Sequence, residues 1–267
     1  MDDNSPLALV TGASSGIGFA LAEQFAGHGF RLVINAEDDR LEHAARRLRD
    51  AGADVRAVRA DLREPAGVDR LVAATTGLDV DVAALNAGVG QGGAFVDTDL
   101  ADDLSVVDLN VVSTVRLAKP LLRRMVRRGT GRMLFTSSIA AMMPGAFQPV
   151  YNASKSFVQS FAQALQEELK DTGVTVTSFL PGPTETDFFR RAGMADTKIG
   201  SQDKDDPARV AEQAFEAVMK GRRKAVTGSL KTKAQGAADR VLPDGAKAVL
   251  HRRMAEPGTA QGGDGRP

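Results

Sequence analysis

The chain has 267 residues, of which 43% are hydrophobic, and it carries 34 basic and 34 acidic side chains. This length suits one globular domain with a large core, and the balanced charge does not favour nucleic acid or an anionic membrane as a partner. The absence of cysteine excludes disulfides and thiolate chemistry. The start of the chain is polar and acidic, unlike a signal peptide, and no apolar run reaches the roughly 18 residues of a membrane-spanning helix. A cytoplasmic protein is expected.

Short apolar runs alternate along the chain with longer segments of helical period. The predicted strands are residues 6–11, 31–35, 55–60, 82–85, 132–137, 174–180 and 224–227. The predicted helices are residues 16–26, 40–51, 65–75, 100–128, 150–171 and 207–220. This alternation predicts an α/β fold, in which helices cover both faces of a parallel sheet in three layers.

The predicted organisation is a single domain over residues 1–255, with a C-terminal extension that begins near residue 228. Two short helices, divided by Pro243-Asp244-Gly245, are expected in this extension. Residues 256–267 are rich in glycine and proline, a composition that predicts a disordered tail.

A glycine-rich turn joins the first predicted strand to the first helix. It consists of Gly12, Ala13, Ser14, Ser15, Gly16, Ile17 and Gly18. Glycine lets the backbone turn tightly and approach a diphosphate, whose charge the N–H groups at the helix start can bind. All of these residues except Ala13 are therefore candidates for cofactor binding. Glycine is also common at strand-to-helix turns that bind nothing, so the turn alone leaves that alternative open.

The same turn fits the Gly-x-Ser-x-Gly pattern of a serine hydrolase, with Ser14 as the nucleophile. That chemistry requires an acid and then a histidine later in the chain. The histidines are His28, His43 and His251; the first two come too early, and the third lies in a basic C-terminal segment. The hydrolase is therefore disfavoured. All three histidines are expected at the solvated surface, and no metal site is expected.

The residues after the second and third strands bear on the choice of dinucleotide. Glu37 follows the second strand, and a carboxylate there can accept hydrogen bonds from the adenosine ribose and repel a 2′-phosphate. NAD is therefore favoured over NADP, although Arg40 is near and the acidic residues here also suit the start of a helix. Asp61 and Leu62, after the third strand, are predicted at the adenine edge.

The single tyrosine, Tyr151, precedes Lys155 by about one helical turn, so the two side chains share a helix face. A nearby ammonium favours phenolate, and we expect the pKa of Tyr151 to lie below its ordinary value of about 10. Ser138 follows the fifth predicted strand, where its hydroxyl can polarise a substrate oxygen. Each feature alone is common on protein surfaces, but their joint occurrence predicts a Ser–Tyr–Lys catalytic site.

Together these motifs resemble the short-chain dehydrogenase/reductase family over roughly residues 6–227. The resemblance rests on the glycine turn, Asn86-Ala87-Gly88, Asn110, Ser138, Tyr151 with Lys155, and Pro181-Gly182 with Thr186. It implies a Rossmann-type doubly wound sheet. It also implies an oxidoreductase that transfers hydride between NAD or NADP and a carbonyl or secondary alcohol, with the tyrosine as general acid or base.

The resemblance also implies roles for the remaining motif residues. Asn86, Ala87 and Gly88 would line the adenosine-ribose side of the cofactor. Asn110 would hold a water molecule that connects Lys155 to solvent, and Lys155 would also bind the nicotinamide ribose. Without the other motifs, Asn110 would be an ordinary helical asparagine.

After the sixth strand, Pro181 and Gly182 would pass the nicotinamide, with Thr184 and Thr186 near its carboxamide. The segments expected over the site carry Met142, Met143, Pro144, Phe147, Phe188, Phe189 and Met194. These apolar side chains predict a hydrophobic ketone, aldehyde or secondary alcohol as substrate, unless they serve only for packing. The segment after Pro183, which carries Phe188, Phe189 and Met194, is predicted to be a mobile lid.

The assembly expected from the resemblance is a homodimer through the helices over residues 100–128 and 150–171. The basic extension after residue 228 argues against the tetramer common in the family. Candidate contacts are Phe157, Phe161, Ala164 and Leu165, which an ordinary core face explains as well. Two other functions are possible: a dinucleotide-binding sensor or scaffold without turnover, and an isomerase or dehydratase that uses the cofactor transiently.

Overall fold

The structure is a computed structural model that describes residues 5–228 and 244–261. The strands are β1 Leu7–Thr11, β2 Arg31–Ala36, β3 Val55–Arg59, β4 Val80–Leu85, β5 Gly131–Thr136, β6 Val174–Pro181 and β7 Lys224–Thr227. The helices are α1 Gly16–Gly27, α2 Arg40–Asp50, α3 Pro65–Ala74, α4 Leu100–Val107, α5 Ser113–Arg128, α6 Pro149–Glu168, α7 Phe188–Arg191, α8 Lys198–Ser201, α9 Pro207–Met219 and α10 Asp244–Ala255. Every predicted strand is present, and a π-helix, Asp108–Val112, divides the helix predicted over 100–128.

The strands pair in parallel in one seven-stranded sheet, in the order β3-β2-β1-β4-β5-β6-β7. This order confirms the predicted Rossmann-type doubly wound sheet. The direction in which strands are added reverses between β1 and β4. At such a reversal the loops after the two strands leave in opposite directions and open a crevice at the carboxyl ends of the strands, where open α/β sheets bind ligands.

Apolar helix faces cover both sides of the sheet. On one side Phe25 of α1 makes edge-to-face contacts with Phe30 and with Phe215 of α9, with ring centroids 5.2 Å apart in each pair. On the other side the buried residues include Leu117 of α5 and Val158 of α6. Strands buried on both faces are apolar along most of their length, which accounts for the apolar runs in the sequence. The two layers hold the strand ends from which the site is built.

The residues suggested as contacts between subunits divide into two groups. Phe157 and Ala164 on α6 are exposed. Phe161 and Leu165 are partly buried against the core, and the Phe161 ring meets Phe135 edge-on at 5.6 Å and stacks on Phe157 at 5.8 Å. Phe161 and Leu165 therefore pack against the hydrophobic core, as the alternative explanation of these residues predicted.

The C-terminal part differs in detail from the prediction. Of the two helices predicted here, the second is present as α10 and begins at Asp244, within the segment predicted to separate them; the first lies outside the described residues. Within the predicted tail, Gly258 N–H donates to Asp196, and Thr259–Gln261 forms a 3₁₀-helix. Residues 262–267 lie outside the described part. Among the described helices, none combines the length and apolarity that crossing a bilayer requires.

Candidate active site

The glycine turn lies at the carboxyl end of β1, beside the end of β4. Gly12 has a φ of +67°, which favours glycine. A Cβ at Gly18 would lie 2.1 Å from the carbonyl oxygen of Gly12, so no other residue fits without a backbone shift. The Thr11 hydroxyl oxygen accepts hydrogen bonds from the backbone N–H groups of Asn86 and Ala87, at 2.9 and 3.0 Å. These contacts tie the turn to the loop after β4.

The start of α1 supplies polar groups to the same crevice. Ser15 caps the helix without a side-chain hydrogen bond to its first turn, and that turn contains no acidic residue. Backbone N–H groups there carry partial positive charge and suit a diphosphate. A Cβ at Gly16 would lie 2.9 Å from the methyl group of Thr186, so the loop after β6 closes over the turn. The narrow, glycine-lined passage fits a dinucleotide.

An ion-pair network surrounds the position predicted for the adenosine. Arg63 forms ion pairs with Glu37 and with Asp61, the latter at 2.8 Å. Burial opposes the ionisation of Asp61, but hydrogen bonds from Arg63 outweigh it and hold the pKa of that carboxyl below its ordinary value. Arg191, in the segment after β6, approaches Glu37 at 3.5 Å. Arg63 and Arg191 were not identified from the sequence, because their pairing depends on segments brought together by the fold.

A second pair of contacts links the end of β2 to the segment after β6. Arg40 binds Asp38 at 2.7 Å and Asp187 at 2.9 Å. Burial raises the pKa of Asp38, but the hydrogen bond from Arg40 outweighs this effect, with help from Ser14, so that the pKa lies below its ordinary value. The cofactor end of the crevice thus carries paired charges on both walls.

The three predicted catalytic side chains converge at the other end of the crevice. Tyr151 and Lys155 are both buried on α6, and Lys155 Nζ donates to the carbonyl oxygen of Thr136 at 3.0 Å. Ser138 caps the 3₁₀-helix Ile139–Met142 and accepts from the N–H of Ala140 at 3.1 Å. Its hydroxyl lies near enough to Tyr151 to lower the pKa of the phenol by hydrogen bonding, and it lines the same cleft. The arrangement can deliver a proton and a hydrogen bond to one substrate oxygen.

The pKa expected for Tyr151 is wrong for this structure. Burial raises the pKa of Tyr151 to about 12, and the hydrogen bond with Ser138 offsets only part of that effect. Lys155 does not reverse the shift, because burial lowers the pKa of Lys155 itself to about 8 and its Nζ is 5.8 Å from the centre of the phenol ring. A phenol with this pKa is fully protonated at neutral pH and can act as a proton donor.

Asn110 lies in the π-helix and is buried. Its Oδ1 accepts from the N–H of Val89 at 3.0 Å, and its Nδ2 donates to Ser154 Oγ at 2.9 Å. A Cβ at Gly88 would lie 3.0 Å from Lys155 Nζ and 3.1 Å from Asn110 Oδ1. Asn110 and Lys155 therefore both lie beside Gly88, but each forms its hydrogen bonds with other groups.

One cleft of about 400 Å³ joins all these features. The predicted cofactor-binding residues that line it are Gly12, Ser14, Ser15, Gly16, Ile17, Gly18, Glu37, Asp61, Leu62, Asn86, Ala87, Gly88, Tyr151, Lys155, Pro181, Gly182, Thr184 and Thr186. Ser138 also lines it, whereas Asn110 stands behind Gly88. Lining residues that the sequence did not reveal are Arg63, Gln91, Arg191, Ile199, His251 and Met254.

Only some of the apolar residues predicted to lie over the substrate line the cleft. Met143, Phe188 and Phe189 line the cleft, and the Phe188 ring packs against Tyr151 with centroids 5.2 Å apart. Met142, Pro144, Phe147 and Met194 do not line it; Met194 is buried in a small cluster with Phe189 and Ala192. The observed substrate end is still mainly apolar.

The histidines and Ser14 do not form a hydrolase site. Ser14 Oγ donates to Asp38 at 3.3 Å, whereas His28, His43 and His251 pair with Gln24 O, the Arg46 guanidinium and Ala146 O. His28 and His43 are exposed, as expected. The surface position expected for His251 is wrong: the ring is 2% exposed, because α10 folds back over the cleft.

Several known proteins resemble this chain in sequence and in fold. The short chain dehydrogenase family model matches residues 6–196. The 1-deoxy-11-beta-hydroxypentalenate dehydrogenase of Streptomyces exfoliatus is 34% identical over 209 residues, which are 73% of this chain and 75% of that protein. A short-chain dehydrogenase from Sphingobium yanoikuyae in complex with NADPH has a TM-score of 0.80 and 31% identity, covering 97% of this chain and 99% of that one. A short-chain dehydrogenase/reductase from Burkholderia phymatum in complex with NAD has a TM-score of 0.78 and 25% identity, covering 90% and 94%.

Proposed function

The chain belongs to the short-chain dehydrogenase/reductase family, and from that premise we propose that Ser138, Tyr151 and Lys155 catalyse the interconversion of an apolar ketone or aldehyde with its alcohol. Membership makes the protein an NAD(P)-dependent oxidoreductase that acts on alcohol and carbonyl groups. The observation that carries the proposal is the convergence of Ser138, Tyr151 and Lys155, with the tyrosine and the lysine buried, in one cleft that also contains the glycine turn.

The nicotinamide, when bound, supplies the hydride in reduction and accepts it in oxidation. In reduction, Tyr151 Oη donates its proton to the carbonyl oxygen. Ser138 Oγ donates a hydrogen bond to the same oxygen and stabilises the negative charge that develops there. In oxidation, the phenolate form of Tyr151 takes the proton from the alcohol. Tyr151 is protonated at neutral pH, which is the state that reduction requires, although its raised pKa makes it a weaker acid than an ordinary tyrosine.

Lys155 restores the proton on Tyr151 after reduction. With a pKa lowered to about 8, its ammonium holds a proton at neutral pH and releases it more readily than an ordinary lysine. Asn110 holds the water molecule through which solvent recharges Lys155. The support for this relay is the shared position of both side chains beside Gly88, where a Cβ would come within 3.1 Å of each.

The decisive experiment measures turnover and cofactor binding in the same variants. Tyr151→Phe keeps the ring and removes the proton, so kcat should fall by a factor of about 10²–10⁴ while the dissociation constant for NADH changes little. Ser138→Ala should lower kcat by about 10². Ser156→Ala is the matched control: this serine lies on the same helix as Tyr151 but does not line the cleft, and its hydroxyl donates to the backbone carbonyls of Ala141 and Asn152, so its loss should leave kcat nearly unchanged.

Near-normal turnover by Tyr151→Phe would refute the catalytic assignment. A wild-type protein that binds NADH tightly but oxidises it with no member of a carbonyl panel would favour the sensor or scaffold alternative. Product formed without net cofactor oxidation would favour the isomerase or dehydratase.

NAD is the proposed cofactor. The carboxylates of Glu37 and Asp38 line the cleft where β2 ends. The nearby guanidinium groups of Arg40, Arg63 and Arg191 are already ion-paired, so a 2′-phosphate would have to displace carboxylates to reach them. Fluorescence titration should give tighter binding of NADH than of NADPH, and Glu37→Gln should narrow the difference. Tighter binding of NADPH to the wild type would overturn this choice.

The proposed assembly is a homodimer through α4, α5 and α6. Phe157 is 39% exposed, and with Phe95, Val107, Val111 and Val150 it lines a shallow apolar groove. An exposed apolar patch of this kind marks a contact surface. Sedimentation equilibrium should report a dimer for the wild type and dissociation for Phe157→Asp. A monomeric wild type would contradict the proposal.

A further inference from the structure

Helix α10 closes the substrate end of the cleft, although it follows Lys155 in the chain by many residues. His251 and Met254 on this helix line the cleft together with Tyr151. Ala255, one residue on, packs with Phe189, Ala192 and Met194. A stretch of chain that follows the family match thus becomes a wall of the candidate active site.

The end of the chain holds α10 in this position. Gly258 N–H donates to the carboxylate of Asp196 at 3.0 Å, and the N–H of Lys198 donates to Thr259 Oγ1 at 3.0 Å. The N–H of Ala260 donates to the carbonyl oxygen of Asp196 at 2.9 Å. Three hydrogen bonds therefore join the segment after α10 to the loop between α7 and α8, next to the apolar cluster. The orientation of His251 is set by tertiary contacts on both sides of the helix.

The hydrogen bond of His251 defines its tautomer. Nδ1 lies 3.0 Å from the carbonyl oxygen of Ala146, and a carbonyl oxygen can only accept, so Nδ1 carries the hydrogen. Burial lowers the pKa of His251, and the bond to Ala146 offsets this only in part, so the imidazole is neutral at pH 7. In the neutral ring Nε2 is then a hydrogen-bond acceptor.

Nε2 of His251 has no hydrogen-bond partner within residues 5–228 and 244–261. The side chains that line this end of the cleft beside it are apolar: Met143, Phe188, Phe189, Ile199 and Met254. The neutral amide side chains that line the cleft are Asn35, Asn86, Gln91 and Gln148. The amide nitrogen of each one donates to a protein atom: those of Asn35, Asn86 and Gln91 to backbone carbonyl oxygens and that of Gln148 to Met194 Sδ. Nε2 of His251 is not among the fully buried side-chain atoms that lack a partner in the described part of the chain, so this nitrogen is open to the cleft that His251 lines. Between apolar side chains it can bond only to water there, unless a ligand displaces the water and donates to it.

We propose that His251 is a substrate-binding residue whose Nε2 accepts a hydrogen bond from a hydroxyl group on the substrate, at a distance from the reacting carbonyl. The substrate class is then an apolar ketone or aldehyde that also carries a hydroxyl group, or the alcohol formed from it by reduction of the carbonyl. This inference rests on the proposed function. It adds a polar contact that distinguishes hydroxylated substrates from purely apolar ones, because a substrate without the hydroxyl leaves Nε2 unpaired.

The test compares paired substrates that differ only in the second hydroxyl. Decalones and hydroxydecalones with the hydroxyl at successive ring positions are assayed with NADH and the full-length protein. For at least one hydroxyl position, the kcat/KM of the wild-type enzyme for the hydroxydecalone should exceed its kcat/KM for the parent decalone by about tenfold, mainly because KM is lower. His251→Asn keeps a polar side chain but no acceptor at the position of Nε2, and should abolish this preference. His251→Gln, whose amide oxygen reaches the position of Nε2, should retain part of it.

The controls separate this inference from the proposed function. Val249→Ala changes an exposed side chain of the same helix and should leave the preference intact. Wild-type turnover of decalones without any preference for a hydroxyl, or equal losses on both members of a pair in His251→Asn, would overturn the role of His251 and leave the oxidoreductase standing. Absence of NADH oxidation with every member of the series would instead refute the proposed function, and with it the substrate class.

Discussion

The two ends of the cleft are held by different physical forces. At the cofactor end, backbone atoms approach each other closely around Gly12 and Gly18, and ion pairs connect the two walls. At the substrate end, the short helices α7 and α8 meet α10 through apolar side chains. Backbone sterics tolerate no added volume, whereas side chains such as Met194 can adjust to a changed neighbour. Equivalent substitutions should therefore have large effects at the first end and modest effects at the second.

The largest effect is expected from Gly18→Ala. The added Cβ would lie 2.1 Å from the carbonyl oxygen of Gly12, so the turn must shift and the affinity for NADH should fall by at least about 10². Gly27→Ala, in the same helix, is the matched control, because nothing lies within 4 Å of its added Cβ. The control should be neutral or stabilising by about 0.5–1 kcal/mol. Fluorescence titration and thermal unfolding measure both outcomes, and normal NADH affinity in Gly18→Ala would contradict the rigid description of the turn.

A smaller effect is expected from Phe188→Ala at the substrate end. The ring lines the cleft and packs on Tyr151, so its loss should raise KM for bulky apolar ketones by about tenfold and leave the affinity for NADH unchanged. Val96→Ala is the control, since this side chain is 88% exposed and lines neither the cleft nor the proposed dimer groove. Steady-state kinetics and NADH titration give the two quantities. A loss of cofactor affinity in Phe188→Ala would show that the two ends are not independent.

The smallest effect, a change of a few degrees in Tm, concerns Lys155 and pH in the cofactor-free protein. Its pKa is about 8 in the folded state and about 10.5 when unfolded, so the unfolded chain binds more protons between these values. The stability of the wild type relative to Lys155→Met should therefore rise as pH increases from 8 to 10.5. Below pH 8 the difference should be constant, because both states are protonated.

Tyr151→Phe provides the control for this pH series. The pKa of Tyr151 is raised from 10.0 to about 12, so its contribution is constant below pH 10 and is lost as pH rises from 10 to 12. The difference between wild type and Tyr151→Phe should be flat from pH 7 to 9.5. If the Lys155→Met difference is equally flat up to pH 10.5, then Lys155 is not desolvated in the way the structure indicates.

Much of the fold was predictable because its signals are local. Each strand is a short apolar run, and each motif residue of the cofactor end stands within a few positions of a strand end. The π-helix over Asp108–Val112 was not predictable, since one altered turn leaves the apolar periodicity of the 100–128 segment almost unchanged. The pKa of Tyr151 was misjudged because spacing alone predicts that Lys155 is near but says nothing about how dry the pair is.

By itself, the sequence determined the parallel sheet, the glycine turn and the Ser138–Tyr151–Lys155 set, because hydrophobic period and steric need act over a few neighbouring residues. Only the tertiary structure decided the charge pairing of Arg63 and Arg191, the protonated state of Tyr151 and the burial of His251. Ion pairing and desolvation depend on which distant segments meet, so neither can be predicted from a few neighbouring residues. The identity of the substrate therefore depends most on the part of the cleft that chain folding, rather than any motif, brings together.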